Sequence, residues 1–189
     1  LRRHWERRHR GLARHVVLNG IDPLERVGRP RPPELEPGPV HLGIVGRVGA
    51  VKGIPTALRA LTDGAVPEQV RLSVVGDGPL LEPLRREAAS LGLGDRVQWL
   101  GFRENVYAYL AHLDALLMPS LHEGLPYVLL EAMALGTPVF ASRVGGLAEV
   151  LRDGETGVLF PVGDVAALSA AVARLAGDPA WGRALGAAA

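Results

Sequence analysis

The 189-residue chain contains no cysteine, so it can form neither a disulfide nor a metal site with thiolate ligands. The lack of cysteine fits a reducing compartment. No apolar run approaches the roughly 18 residues that a membrane-spanning helix needs. From these absences we expect a cytoplasmic location and no transmembrane segment.

A strong net charge is also lacking. Lys and Arg number 21 and Asp and Glu 20, for a net charge of +1 at pH 7, so the chain as a whole should not attract a polyanion. Basic residues are concentrated only in the opening stretch LRRHWERRHRGLARH. The solvated face of a basic helix is the favoured interpretation of that stretch, and a nucleic-acid-binding arm is the alternative. We expect no nucleic-acid partner.

The residues that are present describe a globular domain, since 48% are hydrophobic and 22% are charged. The length suits one generous domain, or one domain with a piece of another. The chain begins with Leu1 and ends in ALGAAA, which resembles a helix cut short, so we expect a piece of a longer protein. High use of Ala, Arg, Gly and Leu indicates a GC-rich bacterial source.

Proline separates the first residues from the rest. Residues 1–10 have helical character, and HVVLNG (15–20) is predicted to be a short strand. RPRPPELEPGP (29–39) contains five prolines, which excludes a helix or central strand and indicates a semi-rigid linker. The predicted organisation is a tail over 1–22, a linker over 23–39 and a domain over 40–189.

Beyond residue 39, short apolar runs alternate six times with helical segments. The predicted strands are 40–46, 70–76, 96–101, 115–120, 138–142 and 157–160, and the predicted helices are 54–63, 80–91, 104–113, 125–135, 146–151 and 164–176. Asp164 is expected to cap the last of these helices and Gly136 to end the fourth. Because the strands are continuously apolar, the pattern predicts an α/β fold with a doubly wound, mostly parallel, Rossmann-like sheet. Such folds bind ligands at the carboxyl ends of the strands.

The loop GRVGAVKG (46–53) follows the first strand. Its glycines permit close backbone approach, and Arg47 and Lys52 stand beside a helix N-terminus, a combination that suits a diphosphate. An ordinary glycine loop with two solvated basic residues explains the loop equally well. The spacing G-x-x-G-x-x-G over 43–49 differs from the dinucleotide fingerprint, and Asp77 comes later than its acidic residue, so an NAD site is disfavoured.

The next two loops carry weaker signals. In GDGP (76–79), Gly76 and Gly78 allow backbone to approach a ligand, but Asp77 could instead cap the following helix. In GFREN (101–105), backbone groups could hold the edge of a base with Phe102 or Arg103 alongside, or the loop could be a plain connector.

The stretch EGLPYVLLEAMALG (123–136) places two carboxylates around an almost wholly apolar helix. Glu123 lies before the helix, where Gly124 and Leu125 offer N–H groups, and Glu131 lies ~9–10 Å along the helix axis. A buried carboxylate without a partner is strongly unfavourable, so Glu131 must have one. Two partners fit this requirement equally well: a hydrogen-bond donor of the protein, or the vicinal hydroxyls of a ligand such as ribose.

The segment EGLPYVLLEAMALGTPV resembles the E-x7-E signature of retaining GT-B glycosyltransferases, the large family called glycosyl transferase group 1 (family 4). GIVGRVGAVKG, LSVVGDGPLLEPL, VQWLGF, LDALLMPSLHEG, ASRVGGLAEVL and DGETGVLFPVGD follow in the family's order over roughly 16–176. The resemblance implies the C-terminal half of a GT-B fold, with a nucleotide-sugar donor-binding domain over 40–189. The implied reaction moves a hexosyl group from a nucleoside-diphosphate sugar, UDP- or GDP-linked, to an acceptor hydroxyl with retention of configuration.

The resemblance also implies roles for individual residues. Arg47 and Lys52 would hold the donor diphosphate, and no metal or other cofactor is implied. Glu123, with the N–H groups of the two residues that follow it, would hold the transferred sugar. Glu131 would hold the ribose diol. The residues implied to flank the nucleotide are Gly46, Gly76, Gly78 and Phe102.

The resemblance further implies that the acceptor-binding lobe precedes residue 1 and that VVLNGID (16–22) is the segment that leaves it. The acceptor, a glycan, lipid or small molecule, would bind that missing lobe, which could also hold the enzyme at the inner membrane. No histidine here stands where the family's acceptor-side histidine is expected. We therefore expect this chain alone to bind a nucleotide sugar weakly or not at all and not to turn over acceptor.

Three other functions compete with this one. An epimerase-like GT-B enzyme would need additional carboxylates and histidines, and a phosphorylase would need a lysine for pyridoxal phosphate, whereas Lys52 is the only lysine. A non-catalytic nucleotide-sugar-binding module is the third. The intact set of Arg47, Lys52, Glu123 and Glu131 argues against such degeneration.

Overall fold

The computed structural model describes residues 19–24 and 29–189. The helix predicted over 1–10 and most of the strand predicted over 15–20 lie outside these residues. Asn19 and Gly20, the last two residues of that predicted strand, are described and are not in a strand.

Six strands in the described residues form one parallel sheet in the order β3-β2-β1-β4-β5-β6. They are β1 (Val40–Val45), β2 (Val70–Val75), β3 (Val97–Gly101), β4 (Ala115–Met118), β5 (Val139–Ser142) and β6 (Val158–Phe160). Each predicted strand is present and is one or two residues shorter than predicted. The doubly wound, Rossmann-like sheet is confirmed. Strand order reverses between β1 and β4, which opens a crevice at their carboxyl ends.

In the same described residues, seven α-helices and a short 3-10 helix (Ala50–Lys52) accompany these strands. The α-helices are α1 (Ile54–Leu61), α2 (Leu81–Ser90), α3 (Val106–His112), α4 (Tyr127–Ala134), α5 (Gly145–Val150), α6 (Val165–Gly177) and α7 (Pro179–Ala188). The first six were predicted, with slightly different ends. Only the end of the seventh, α7, was expected, from the terminal ALGAAA that resembles a helix cut short. Asp178 precedes this helix, and its carboxylate accepts a hydrogen bond from the N–H of Trp181 at 3.1 Å. None of the described helices is long and apolar enough to cross a bilayer.

Three predicted helix ends can be compared with the structure. Asp164 caps α6 as predicted, accepting from the N–H of Ala167 at 2.9 Å. Gly136 follows α4 with φ of 66°, the left-handed conformation expected at that position. The prediction that Asp77 caps α2 is wrong. Its carboxylate accepts instead from the adjacent N–H of Gly78 at 2.6 Å, and α2 begins only at Leu81.

Two hydrophobic clusters cover the two faces of the sheet. In β4, Ala115 and Leu117 point into one cluster, while Leu116 and Met118 point into the other. Successive side chains of a strand point to opposite faces, so a strand between two helical layers must be apolar at every position. This requirement explains the continuous apolar runs in the sequence.

The Pro-rich residues 29–39, here called the strap, pack against the domain and contain neither helix nor strand. Leu35 is fully buried in the cluster that contains α3 and α4. A turn joins the N–H of Leu35 to the carbonyl of Pro32 at 3.0 Å. The His41 ring donates from Nε2 to the carbonyl of Glu36 at 2.6 Å. The segment predicted as a linker is therefore anchored at its middle and at its end.

The loops after β1 and β2 meet without a side chain between them. The N–H of Val48 donates to the carbonyl of Asp77 at 2.8 Å, and the N–H of Leu80 donates to the carbonyl of Val48 at 3.2 Å. A Cβ at Gly78 would lie 2.3 Å from the Val48 carbonyl oxygen, closer than any side chain can approach. Only glycine permits this contact, which sets the distance between the two loops.

We predict that Gly78→Ala lowers the free energy of unfolding by about 1–3 kcal/mol, because the added methyl group forces the two loops apart. Chemical denaturation followed by circular dichroism measures this change. Gly94→Ala is the matched control, since a Cβ there meets no atom within 4 Å. Equal stability of the two variants would show that the loops separate without cost.

Candidate functional site

A pocket of about 390 Å³ opens where β1, β2 and β3 end. Three of the predicted nucleotide-flanking residues, Gly46, Gly76 and Phe102, line this pocket, and the Phe102 side chain is 74% exposed beside it. The fourth, Gly78, lies behind it, in contact with the loop after β1. The complete lining is Val45, Gly46, Arg47, Val75, Gly76, Asp77, Phe102, Arg103 and Val106.

Lys52 and Glu123 form an ion pair across the crevice between β1 and β4. The Lys52 Nζ lies 2.8 Å from the Glu123 Oε1, and the Ser120 hydroxyl donates to the same oxygen at 3.1 Å. Only 17% of the Lys52 side chain and 14% of the Glu123 side chain are exposed. The N–H of Leu121 donates to the carbonyl of Val51 at 2.8 Å, which joins the two loops beside the pair. Residues that the sequence analysis assigned to different parts of a ligand therefore share one charge pair.

Arg47 is the cation that remains for a ligand at the mouth of the pocket. Its side chain is exposed, and it makes no ion pair or hydrogen bond with any residue in the described part of the chain. Lys52 is neutralised by Glu123, so the positive charge available to an anion at this edge comes chiefly from Arg47. Such a cation at the edge of a glycine loop suits a phosphate group.

The loop that carries Glu123 is held in place by a second glycine contact. A Cβ at Gly145, the first residue of α5, would lie 1.9 Å from the Glu123 carbonyl oxygen. Gly145 has φ of 43°, which also disfavours other residues. Asn19 Nδ2 donates to the carbonyl of Leu125 at 2.6 Å from the other side. These contacts fix the direction of the loop between β4 and α4.

The start of α4 differs from the prediction. The helix begins at Tyr127 after Pro126, so Gly124 and Leu125 lie in the loop rather than in the first helical turn. Their N–H groups donate to no protein group among the residues described. They remain available to donate hydrogen bonds to a ligand oxygen, as expected from the sequence, although they lie in the loop before the helix and not in its first turn.

Glu131 has the partner that its apolar neighbours require, and it is a protein group. The hydroxyl of Tyr107, in α3, donates to Glu131 Oε1 at 3.3 Å. The negative charge of Glu131, together with burial, raises the pKa of Tyr107, and Arg29 above the tyrosine ring opposes this shift. The helix is less buried than its apolar sequence indicates, because only Leu129 and Ala132 of α4 are buried and Glu131 is half-buried. One long hydrogen bond leaves most of the acceptor capacity of the carboxylate unused.

Arg103 joins the pocket to the strap. Its guanidinium donates to Glu34 Oε1 at 3.2 Å, to the Tyr109 hydroxyl at 3.0 Å and to the carbonyl of Phe102 at 3.2 Å. Burial raises the pKa of the Glu34 carboxyl, but hydrogen bonds in the folded chain, including that from Arg103, hold it below its usual value. The sequence analysis missed Glu34 and Tyr107, since neither belongs to a recognisable motif.

The described residues bring no group of three His, Asp or Glu side chains together in a way that would hold a metal ion. His122 is exposed beside Glu123.

We predict that Lys52→Met lowers the free energy of unfolding by about 1–2 kcal/mol, because it leaves the largely buried Glu123 carboxylate without its cation. Arg85→Met removes a cation from an exposed pair with Glu82 and should change stability by less than about 0.5 kcal/mol. Urea denaturation of both variants tests the difference. Lys52→Met combined with Glu123→Gln should recover part of the loss, and a purely additive result would show that the pair contributes no stability.

Comparison with known proteins places this chain in a family. The profile of the family "Glycosyl transferases group 1" matches residues 39–178. The 2-deoxystreptamine glucosyltransferase of Streptomyces kanamyceticus is 40% identical over 177 residues, which cover 87% of this chain and 46% of that protein. The glycogen synthase of Mycobacterium tuberculosis is 35% identical over 174 residues, which cover 90% of this chain and 42% of that protein. The chain thus spans less than half the length of these relatives.

Solved structures agree with the sequence comparison. The Anabaena protein HepE, crystallised in complex with UDP, superposes with a TM-score of 0.74 at 28% identity, over 78% of this chain and 42% of that chain. The C-terminal domain of LpcC from Francisella tularensis superposes with a TM-score of 0.73 over 82% of this chain and 84% of that chain, at 22% identity, which shows a shared fold. The profile match, which includes all six strands, together with the relatives of 35% and 40% identity, shows that the chain belongs to the glycosyl transferases group 1 family.

Proposed function

We propose that this chain is the donor-binding domain of a retaining glycosyltransferase that moves a hexosyl group from a nucleoside-diphosphate sugar to an acceptor hydroxyl. The observation that carries the proposal is the continuity of the site. A pocket lined by backbone and by Arg47 lies at the ends of β1 to β3, and the Lys52–Glu123 pair lies across the neighbouring crevice. The complex of HepE with UDP supports a nucleotide ligand, and UDP is the first candidate, with GDP the second.

In this proposal the ligand runs along the carboxyl edge of the sheet. The base occupies the pocket beside Gly76, Phe102 and Arg103. Tyr107 directly follows the pocket-lining Val106, and it hydrogen-bonds Glu131, whose carboxylate faces the ribose diol. The diphosphate lies by Arg47 and Lys52.

The sugar end of the ligand would lie at the loop before α4. Glu123 would accept hydrogen bonds from the sugar hydroxyls, and the N–H groups of Gly124 and Leu125 would donate hydrogen bonds to them. Glu123 would therefore serve two groups at once, since its Oε1 also holds Lys52. A carboxylate has four acceptor positions and can meet both demands.

The charges of the site suit departure of a diphosphate. As the glycosidic bond to the diphosphate breaks, negative charge grows on the leaving oxygen, and Arg47 and Lys52 would stabilise it from fixed positions. The ion pair with Glu123 keeps the Lys52 ammonium oriented before the ligand arrives, which removes the cost of ordering it during the reaction. The acceptor, a glycan, lipid or small molecule, would bind to another part of the protein, and this chain alone would bind donor at most weakly and would not turn over acceptor.

The proposal predicts that UDP or GDP binds more tightly than ADP or NAD, in calorimetric titrations of the full chain and of any longer protein that contains it. Arg47→Ala should weaken binding of the preferred nucleotide about tenfold, because it removes a charge-assisted contact with phosphate. Arg85→Ala, on the exposed face of α2, is the control. The proposal fails if no nucleoside diphosphate binds at millimolar concentration and the longer protein ignores every sugar nucleotide. Preferred binding of NAD would indicate an oxidoreductase.

The ribose contact can be tested with a ligand that lacks the diol. Glu131→Gln should weaken UDP binding about tenfold but leave the affinity for 2′,3′-dideoxy-UDP unchanged, because only the diol uses the carboxylate charge. Stability should change little, since Glu131 is half-buried and makes one long hydrogen bond. Glu82→Gln, in an exposed pair, is the matched control. Equal losses of affinity for both nucleotides would show that Glu131 does not bind the ribose diol. The rest of the proposal would still stand.

A further inference from the structure

The strap approaches the nucleotide end of the site from outside the sheet. Its Glu34 carboxylate reaches Arg103, which lines the pocket, across 69 positions of sequence. Glu34 belongs to no recognisable sequence motif, and its side chain does not line the pocket. Its effect on a ligand must therefore pass through Arg103.

Arg103 is fixed from three directions. Tyr109 and the Phe102 carbonyl hold it from within the loop and helix that carry it, and Glu34 holds it from the strap. An arginine side chain has high rotational freedom, and each fixed hydrogen bond removes part of it. A guanidinium has five N–H donors, and these three contacts leave two of them and the planar face for a ligand.

Glu34 is itself held in a rigid setting. Four of its neighbours in the strap, Pro30, Pro32, Pro33 and Pro37, restrict the backbone, and the adjacent Leu35 is fully buried. Arg31 donates to the carbonyl of Leu35 at 3.1 Å, which closes the turn around Glu34. The carboxylate is therefore presented to Arg103 in a set position rather than as a mobile surface charge.

Burial makes this pairing more than a surface contact. The Glu34 side chain is 27% exposed and that of Arg103 37%, and Oε2 of Glu34 is buried with no hydrogen-bond partner in the described ranges 19–24 and 29–189. Arg103 is thus the cation that compensates for the partial burial of this carboxylate. The two side chains constrain each other, and the one that reaches the pocket is Arg103.

We propose that Glu34 is a positioning residue for recognition of the nucleotide base: it holds the Arg103 guanidinium at the base end of the pocket, so that the strap is part of the donor site. This inference rests on the proposed function, since it takes the pocket to hold a base. Loss of Glu34 frees Arg103 to rotate into solvent and weakens contacts with the base. It leaves the phosphate contacts of Arg47 and Lys52 in place.

The test compares a ligand that has a base with one that lacks it. Calorimetry on the full chain, and on the longer protein, measures the dissociation constants of inorganic pyrophosphate and of whichever of UDP and GDP binds more tightly. Glu34→Gln should weaken nucleotide binding about three- to fivefold, as expected for a partly exposed ion pair, and leave pyrophosphate binding unchanged. Glu36→Gln, two residues along the strap and exposed, should change neither constant.

A double-mutant cycle separates positioning from general support of the fold. Arg103→Ala should weaken nucleotide binding at least as much as Glu34→Gln, and adding Glu34→Gln to Arg103→Ala should have no further effect. Melting temperatures of all variants report folding independently.

Several outcomes overturn the inference. Equal loss of nucleotide and pyrophosphate binding in Glu34→Gln would assign Glu34 a structural role. If either Glu34→Gln or Arg103→Ala leaves the nucleotide affinity unchanged, the residue substituted in that variant does not contribute to base recognition. In these cases the wild-type protein still binds nucleotide and Arg47→Ala still weakens it, so the proposed function stands. If the wild-type protein binds no nucleotide, the proposed function fails and this inference fails with it.

Discussion

The ion pair between Lys52 and Glu123 is the contact on which the geometry of the site depends. The parallel sheet brings β1 and β4 side by side, and reversal of strand order at this point leaves a crevice between their loops. The pair spans that crevice at 2.8 Å, with the Ser120 hydroxyl on the same carboxylate oxygen. The backbone hydrogen bond from Leu121 to Val51 joins the two loops, and the ion pair orients their opposite charges before a ligand arrives.

Glycine contacts also position the two loops that carry this pair. Gly78 lets the loop after β2 touch the loop after β1, and Gly145 lets α5 touch the loop that carries Glu123. Both contacts are between backbone groups, so they set distances that side chains cannot adjust. The backbones of these loops, which the sheet supports, therefore form much of the site, and few side chains project from the loops.

The sequence allowed prediction of the sheet, because strands buried on both faces must be continuously apolar, and of the edge at which Arg47, Lys52 and Glu123 lie. It did not reveal that Lys52 and Glu123 pair, since that distance depends on how two loops bend. Glu34 and Tyr107 were not predicted as site residues for a similar reason: each contacts a residue far away in sequence, and neither stands in a distinctive local pattern. The predicted start of α4 was two residues early because Pro126, which is extended, precedes the helix rather than lying within it.

Helix α4 connects the two ends of the proposed ligand. It carries Glu131, while Glu123 lies in the loop before it, whose direction is fixed by the contacts of Gly145 and Asn19. Lys52 restrains the first carboxylate from the β1 side, and Tyr107 of α3 contacts the second. The strap in turn supports α3, since His112 donates to the carbonyl of Arg29 and the Arg29 guanidinium lies over the Tyr107 ring. In the proposed site, the sheet loops would hold the phosphate and sugar end of the ligand, α3 with the strap would hold the ribose and base end, and α4 would join the two.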